Sequence, residues 1–240
     1  MLRQSTRMLL LRHGQSEWNA VRRWQGRADT PLTELGRLQA LRCGEQLERR
    51  RASNGQPFAA VWSSTLGRAS ETATILSDCL ALGAVSTDER LCEADAGEWE
   101  GLTPDEIERA YPGFLADHRR PASFESPLAV VARARAALSE IADQHRDAGD
   151  VLIVTHSGVL RSIVRHLGAV DERIPNLGGV WTRVAGPVST GSIIDGPNEF
   201  GVRLQERFGV DGAAATSIDG PGEDPGDEPD QPDADRCAQR

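Results

Sequence analysis

The sequence predicts an α/β fold with a largely parallel central sheet. Three observations carry that expectation. Short runs with strand character alternate with helical segments along the chain, the pattern of βα units. The clearest run, DVLIVT at Asp150 to Thr155, is a short apolar stretch of the kind that marks a buried strand. Two such runs end abruptly in reactive side chains: Met8 to Leu11 in Arg12-His13-Gly14, and Val151 to Thr155 in His156. Open α/β sheets hold their ligands just beyond the carboxyl ends of such strands.

The elements follow in order. Met8 to Arg12 reads as the first strand, and Gly14 to Thr30 as polar and irregular. Thr33 is placed to cap a helix running to about Arg50, with Leu35, Leu38, Leu41 and Leu47 on one side. Ser53 to Pro57 has turn composition, and Phe58 to Trp62 reads as the second strand. Leu66 to Leu82 has helical spacing, with Ala69, Ala73, Leu76 and Leu80 as its apolar stripe. A short extended piece follows near Val85. Ser126 and Pro127 supply a capping hydroxyl and a proline at the first helical position, starting a helix that reaches about Arg146. The strand Asp150 to Thr155 runs into a short helix, Ser157 to Leu167. Trp181 to Val184 and Val202 to Phe208 read as later strands. From about Asp211 the apolar pattern stops. The segment DGPGEDPGDEPDQPDAD cannot bury enough surface to offset its ordering entropy. The expected organisation is therefore a folded domain over 1–210 and a disordered acidic, Pro/Gly-rich tail over 211–240.

Charge narrows the function. The net charge is −9, but nine acids and two arginines fall between Asp211 and Arg240, leaving −2 for the rest. A folded body that is not basic argues against nucleic-acid binding. No apolar stretch approaches the ~20 residues of a membrane span. The basic start, Arg3 and Arg7, precedes only Met8 to Leu11, too short for a signal peptide, so a cytoplasmic protein is expected. Cys43, Cys79, Cys92 and Cys237 form no C-x-x-C pair, which suggests neither a zinc site nor a dithiol motif. Cys43 and Cys79 read as small buried hydrophobes. The chain contains no lysine, so any anion site must use forked guanidinium donors, with imidazole help.

Four blocks place reactive side chains after an apolar segment or at a helix start. They are Arg12-His13-Gly14, SSTLGRASETA with Arg68, LCEADAGEWEG with Glu93, and VTHSG with His156. Singly, each has an ordinary structural reading: a surface ion pair, a satisfied histidine, a solvated helix residue, a loop carboxylate, a helix cap. Together, two arginines, two histidines and a glutamate converging on one sheet edge make up a phosphate site with a nucleophile and an acid. A P-loop is excluded by the lack of G-x-x-x-x-G-K.

The stretch LLLRHGQSEWNAVRRWQGRADTPLTELGRLQA, followed in order by SSTLGRASETA, EADAGEWEGLT and VTHSG, resembles the blocks of the histidine phosphatase superfamily, the phosphoglycerate mutase-like family. The resemblance spans roughly Arg7 to Val184. It implies a three-layer α/β/α sandwich with a mostly parallel central sheet. It implies that His13 is the nucleophile, forming a phosphohistidine, while Arg12, Arg68 and His156 clamp the phosphoryl oxygens. Backbone N–H groups near Ser157, at a helix start, add to that clamp. Glu93 would protonate the leaving oxygen and then activate water; it must hold a proton when substrate binds, which burial would favour. Asn19 and Gln25 match positions that often contact phosphate in the phosphatase branch. No metal or other cofactor is implied.

Many relatives carry a second glycine where this chain has Ser157, whose hydroxyl is a candidate substrate contact but whose simplest reading is a helix N-cap. The short interval of 63 residues between Glu93 and His156, and the Trp24-Gln25-Gly26 motif, resemble the phosphatase branch more than the cofactor-dependent mutases, which carry a long insertion there. Glu106 to Glu125 is expected to form a substrate cap, with His118, Arg119 and Arg120 either binding a second anionic group or forming a solvated basic turn. Pro175 to Trp181 reads as a turn into a strand, with no assigned role. The expected partner is a small phosphomonoester, with phosphoglycerate-like compounds, phosphosugars and phosphoserine as candidates. The mutase reaction is the alternative. A non-catalytic binding protein is a weaker one, since His13, Arg68, Glu93 and His156 are all present. The oligomeric state is left open, a homodimer included.

Overall fold

The structure is a computed structural model and describes residues 5–54, 57–170, 173–185 and 202–210. A six-stranded sheet has the order β3-β2-β4-β1-β5-β6. Its strands are β1 (Ser5–Arg12), β2 (Phe58–Ser63), β3 (Ser86–Thr87), β4 (Asp150–Thr155), β5 (Gly179–Ala185) and β6 (Val202–Phe208). β3, β2, β4 and β1 pair in parallel, and β5 runs antiparallel to both β1 and β6. β5 alone is therefore reversed, and the sheet is mostly parallel as predicted.

The central position of β1 and β4 follows from their composition. Every residue of β4 is buried, as are Met8 to Arg12 of β1. A strand apolar on both faces has to be covered on both. Alternate side chains go to opposite sides. Met8, Leu10, Val151 and Ile153 face one core, built with α5 (Pro127–Gln144) and α6 (Ser157–His166). Leu9, Leu11, Leu152 and Val154 face the other, built with α2 (Glu34–Asn54) and α3 (Gly67–Leu80). These two cores make the three layers. A third, small aromatic core lies over the carboxyl ends of the strands. It joins Trp99, Leu115, Phe124 and Trp24 to Ile107 on α4 (Pro104–Ala110).

Local sequence chemistry explains most helix starts. Ser126 accepts from the Ala129 N–H at 3.2 Å, with Pro127 at the first turn. Thr103 and Glu106 form a reciprocal capping box at α4, again with proline at the first helical position. Neither α4 nor the short α1 (Glu17–Ala20), capped by Ser16 and Asn19, was expected from the sequence. The β5 and β3 bounds also move by one or two residues from the expected ones.

The predicted face of α2 is corrected. Ala40, Cys43 and Leu47 are buried, whereas Leu38 and Leu41 are 42% and 46% exposed. Close approach decides this. A Cβ on Gly44 would lie 2.6 Å from that of Cys79, and one on Gly36 2.1 Å from the Gln15 carbonyl oxygen. The small face meets the protein and the leucines turn outward. Cys43 is fully buried, as expected, while Cys79 is half-buried. No described helix is long and apolar enough to cross a membrane. The acidic segment 211–240 lies outside the described residues.

Candidate active site

Three neighbouring strands deliver the central groups. The parallel register sets Arg12 opposite Thr155 and Ser63 opposite Val154. The residues that follow, His13, His156 and Ser64, therefore leave the sheet side by side. The His13 N–H donates to the Thr155 carbonyl at 3.0 Å, and the Ser64 N–H to that of Val154 at 3.1 Å. The His13 and His156 ring centroids are 5.1 Å apart, and both rings are buried.

The tautomer of His13 is dictated by its neighbour. Its Nδ1 lies 2.6 Å from the Gly14 carbonyl oxygen, which can only accept. Nδ1 therefore carries the proton and Nε2 the lone pair. Arg68, fully buried on the first turn of α3, aims its Nε–H at that lone pair from 3.3 Å. Its other two nitrogens donate to the Ala28 and Gly26 carbonyls at 2.6 and 3.0 Å, which fixes the fork. Burial, then Arg68 and Arg12, hold the pKa of His13 well below its ordinary value, against the Gly14 hydrogen bond. Burial, then Arg68 and His13, do the same for His156. Two neutral imidazoles thus stand beside two guanidinium groups. His156 Nε2 is 2.7 Å from Ser64 Oγ, and its buried Nδ1 meets no hydrogen-bond partner in the protein. Arg12 Nη1 donates to the Ile174 carbonyl at 3.0 Å.

Two amides are oriented by having their oxygens occupied. Asn19 Oδ1 accepts from the Ser16 N–H at 3.1 Å and from Asn176 Nδ2 at 3.4 Å. Gln25 Oε1 accepts from Ser16 Oγ and Thr30 Oγ1, both at 2.8 Å. Both side chains line the cavity, so their remaining capacity, the NH2 groups, is that of donors. Asn176 also holds the His13 carbonyl at 2.9 Å.

Glu93 is seated by backbone. Oε1 accepts from the Ala94 N–H at 2.8 Å and Oε2 from the Gly158 N–H at 3.1 Å. The second bond satisfies one of the unpaired N–H groups at the start of α6, where a carboxylate also suits the helix dipole. Gly158 leaves room for that seat: a Cβ there would lie 2.5 Å from Glu93 Oε1 and displace the carboxyl group. Arg133 of α5 holds the loop from behind, donating to the Arg90 and Glu93 carbonyls at 2.8 and 3.0 Å and to Glu125 at 2.8 and 2.9 Å. Thr155 Oγ1 ties the same loop to β4 through the Leu91 carbonyl at 2.7 Å.

These groups surround one cavity of about 390 Å³. Its walls carry Arg12, Arg23, Arg68, Arg120, Arg161 and Arg165 against two carboxylates, Glu93 and Glu125. The site is cationic although the chain is acidic. It can bind an anion, present a neutral imidazole nitrogen to it, and hold a carboxyl group nearby.

A family model described as histidine phosphatase superfamily (branch 1) matches residues 8–178. The chain belongs to that superfamily. It is 37% identical over 196 residues to a glucosyl-3-phosphoglycerate phosphatase of Mycolicibacterium vanbaalenii, covering 75% of this chain and 84% of the relative. It is 31% identical over 174 residues to phosphoserine phosphatase 1 of Hydrogenobacter thermophilus, covering 69% and 77%. Among solved structures, mycobacterial glucosyl-3-phosphoglycerate phosphatase in complex with VO3 superposes with a TM-score of 0.65 at 30% identity, over 83% of this chain and 96% of that one.

In this histidine phosphatase, Arg12, His13, Arg68, Glu93, Asn19, Gln25, Ser157 and Arg120 all line the cavity. His156 lies directly behind, against His13 and Ser64. Arg119 stands apart. It is exposed, with its guanidinium 3.9 Å from the Phe114 ring centroid and 3.8 Å from Asp117, and is not part of the cavity wall. Arg120 lies over the Trp24 and Trp99 rings, 5.1 Å from each, which places it on the wall under the aromatic core. Ser157 is not the cap expected of it: His156 occupies that position without a side-chain cap bond, and Ser157 is the first helical residue. Glu93 is half-buried, less than expected. Residues missed from the sequence are Asn176, Arg133 and the α6 pair Arg161 and Arg165. The Pro175–Trp181 motif had marked the first without giving it a role.

Proposed function

We propose that this protein is a phosphomonoester hydrolase that acts on a small phosphorylated metabolite through a phosphohistidine on His13. One observation carries the reading: a neutral imidazole whose lone pair is set on Nε2, inside a cationic cavity, with Arg68 Nε 3.3 Å away. The relatives named above act on phosphomonoesters, which supports the same chemistry.

Arg12, Arg68 and the NH2 groups of Asn19 and Gln25 receive the phosphoryl oxygens, and the unpartnered Nδ1 of His156 is a further contact. Guanidinium forks fit tetrahedral oxygens bidentately and stabilise the charge that spreads over them in the transition state. His13 Nε2 forms a bond to phosphorus as the ester P–O bond breaks. Glu93 gives its proton to the departing oxygen. Glu93, now ionised, takes a proton from water, whose oxygen attacks phosphorus and breaks the P–N bond. Inorganic phosphate leaves and His13 is restored. Arginines supply the positive charge throughout, so the scheme calls for no metal. The three free cysteines among the described residues fit a reducing, cytoplasmic setting.

The test is a panel of phosphomonoesters including 3-phosphoglycerate, with phosphate release and isomerisation both followed, and His13→Ala alongside. Phosphate release lost in the variant is expected. Isomerisation exceeding phosphate release makes the protein a mutase; turnover retained by His13→Ala removes the nucleophile.

A further inference from the structure

We infer that Ser64 is a positioning residue of the reaction: its buried hydroxyl donates to His156 Nε2, keeps the ring proton on Nδ1, and so makes Nδ1 a hydrogen-bond donor to a phosphoryl oxygen. The inference rests on the phosphatase reading of the cavity and adds the group that orients one of its phosphate contacts.

The hydrogen bonds around one hydroxyl decide the tautomer. Ser64 Oγ lies 2.7 Å from His156 Nε2, and both residues are fully buried. Oγ also accepts from the Leu66 N–H at 3.4 Å. Among the described residues no other polar group meets that hydroxyl. A serine hydroxyl has one proton to donate and two lone pairs to accept with, and a neutral imidazole has one donor and one acceptor. Were Nε2 protonated, Oγ would accept twice and its own proton would be buried with no acceptor, which costs free energy. With that proton aimed at the Nε2 lone pair, the hydroxyl both donates and accepts. The ring proton then sits on Nδ1, the one buried nitrogen of the pair that meets no partner in the protein.

A buried N–H without a partner is rare in a folded protein and calls for one. The position of His156 supplies it. The ring lies against that of His13, and both His13 and the next residue, Ser157, line the cavity. A phosphoryl group on His13 therefore brings oxygens beside His156. The two imidazoles share one tautomer, set by opposite means. At His13 a carbonyl holds the Nδ1 proton and leaves Nε2 as the lone pair that meets phosphorus. At His156 a hydroxyl covers the Nε2 lone pair and leaves Nδ1–H for oxygen. The other tautomer would turn a lone pair toward an anion. Ser64 is itself anchored by backbone: its N–H donates to the Val154 carbonyl at 3.1 Å, and its carbonyl accepts from Ser63 Oγ at 2.9 Å. The donor is thus in place before any ligand arrives.

Nitrogen NMR of histidine-labelled protein near neutral pH reads the tautomer directly, with the His156 signals assigned by their loss in His156→Gln. Wild type should carry the proton on Nδ1. Ser64→Ala should move it wholly or partly to Nε2 and lower kcat/KM by about 10- to 100-fold, the worth of a hydrogen bond to a charged group. The loss should be equal for p-nitrophenyl phosphate and an alkyl phosphate, because the leaving-group acid is untouched. Ser64→Thr, which keeps the hydroxyl, should restore the tautomer and most of the activity. Should Ser64→Ala not fold, Ser64→Cys, with a much weaker donor, should show the same changes in part. A wild-type His156 protonated on Nε2 overturns the inference. So does a Ser64→Ala variant that keeps the Nδ1 proton, whatever its activity, or one that loses it and retains full turnover. If wild type hydrolyses no phosphomonoester, p-nitrophenyl phosphate included, the phosphatase reading fails. The tautomer and calorimetry of inorganic phosphate then decide the role of Ser64 alone: binding weakened about 10-fold or more in Ser64→Ala supports it, and equal or absent binding overturns it.

Discussion

Gly158→Ala tests the seat of the proposed acid. A Cβ there would lie 2.5 Å from Glu93 Oε1 and 3.2 Å from its carboxyl carbon. Ordinary contacts are about 3.5 Å or longer, so the carboxyl group must retreat by about 1 Å. The helix itself gains from the change, since alanine is the better helix former by about 1 kcal/mol. The substitution therefore disturbs the acid and not the fold. A 1 Å misplacement of a reacting group costs about 100-fold, or about 2.7 kcal/mol of transition-state stabilisation. That loss should fall only on leaving groups that need a proton. Steady-state kcat/KM should drop about 100-fold for an alkyl phosphate and much less for p-nitrophenyl phosphate. Equal losses on the two substrates would show that Glu93 is not the leaving-group acid. Full activity on both would show that its position is not fixed by Gly158.

Two more predictions follow from groups behind the site. His13 and His156 are buried with pKa values well below the ordinary 6.5. Unfolding frees both to bind protons, so the unfolded state gains protons first, and stability falls as pH drops below about 6.5 toward the depressed folded values. Thermal melts from about pH 8 to 5 should show that decline, and His156→Gln should flatten it; a flat wild-type profile contradicts the buried neutral pair. Arg133→Met removes the cation that holds Glu125 and the loop carbonyls. Glu125 keeps Arg27, 3.7 Å away, so the loss should cost about 2 kcal/mol in denaturant melts. Activity on alkyl phosphates should fall more than on p-nitrophenyl phosphate, because the backbone of Glu93 loses its anchor. An unchanged melting midpoint would refute the tether.

The sheet and the placement of the main groups were legible because strand ends are local signals. An apolar run that stops at Arg12-His13, and another that stops at His156, state their own geometry once the strands are parallel neighbours. The α3 stripe was equally plain, with Ala69, Ala73, Leu76 and Leu80 all buried. α4 was legible and overlooked: Thr-Pro-Asp-Glu at 103–106 is a capping box with proline at the first helical position. The face of α2 was not legible, because a row of leucines outweighs small residues in any periodicity count. Only contacts with Gln15 and Cys79, distant in sequence, make Gly36 and Gly44 the buried side. Arg133 was hidden for a similar reason. An arginine on an amphipathic helix looks solvated, and its partners here are carbonyls contributed by a distant loop. Arg119 and Arg120 show the converse, since adjacency in sequence made them equivalent candidates. The turn that contains them, with His118 in the left-handed region at φ 53°, sends one over Phe114 and the other to the cavity.

The central claim is that His13 carries the phosphoryl group, and rapid quenching tests it most directly. Enzyme mixed with p-nitrophenyl phosphate for a fraction of a turnover, stopped in alkali to preserve the P–N bond, and digested for mass spectrometry should yield a phosphorylated His13 peptide. The adduct should form no more slowly than the steady-state turnover and be missing from His13→Ala. Turnover with no phosphorylated His13 at any quench time, or a phosphoryl group on another residue, would contradict the account.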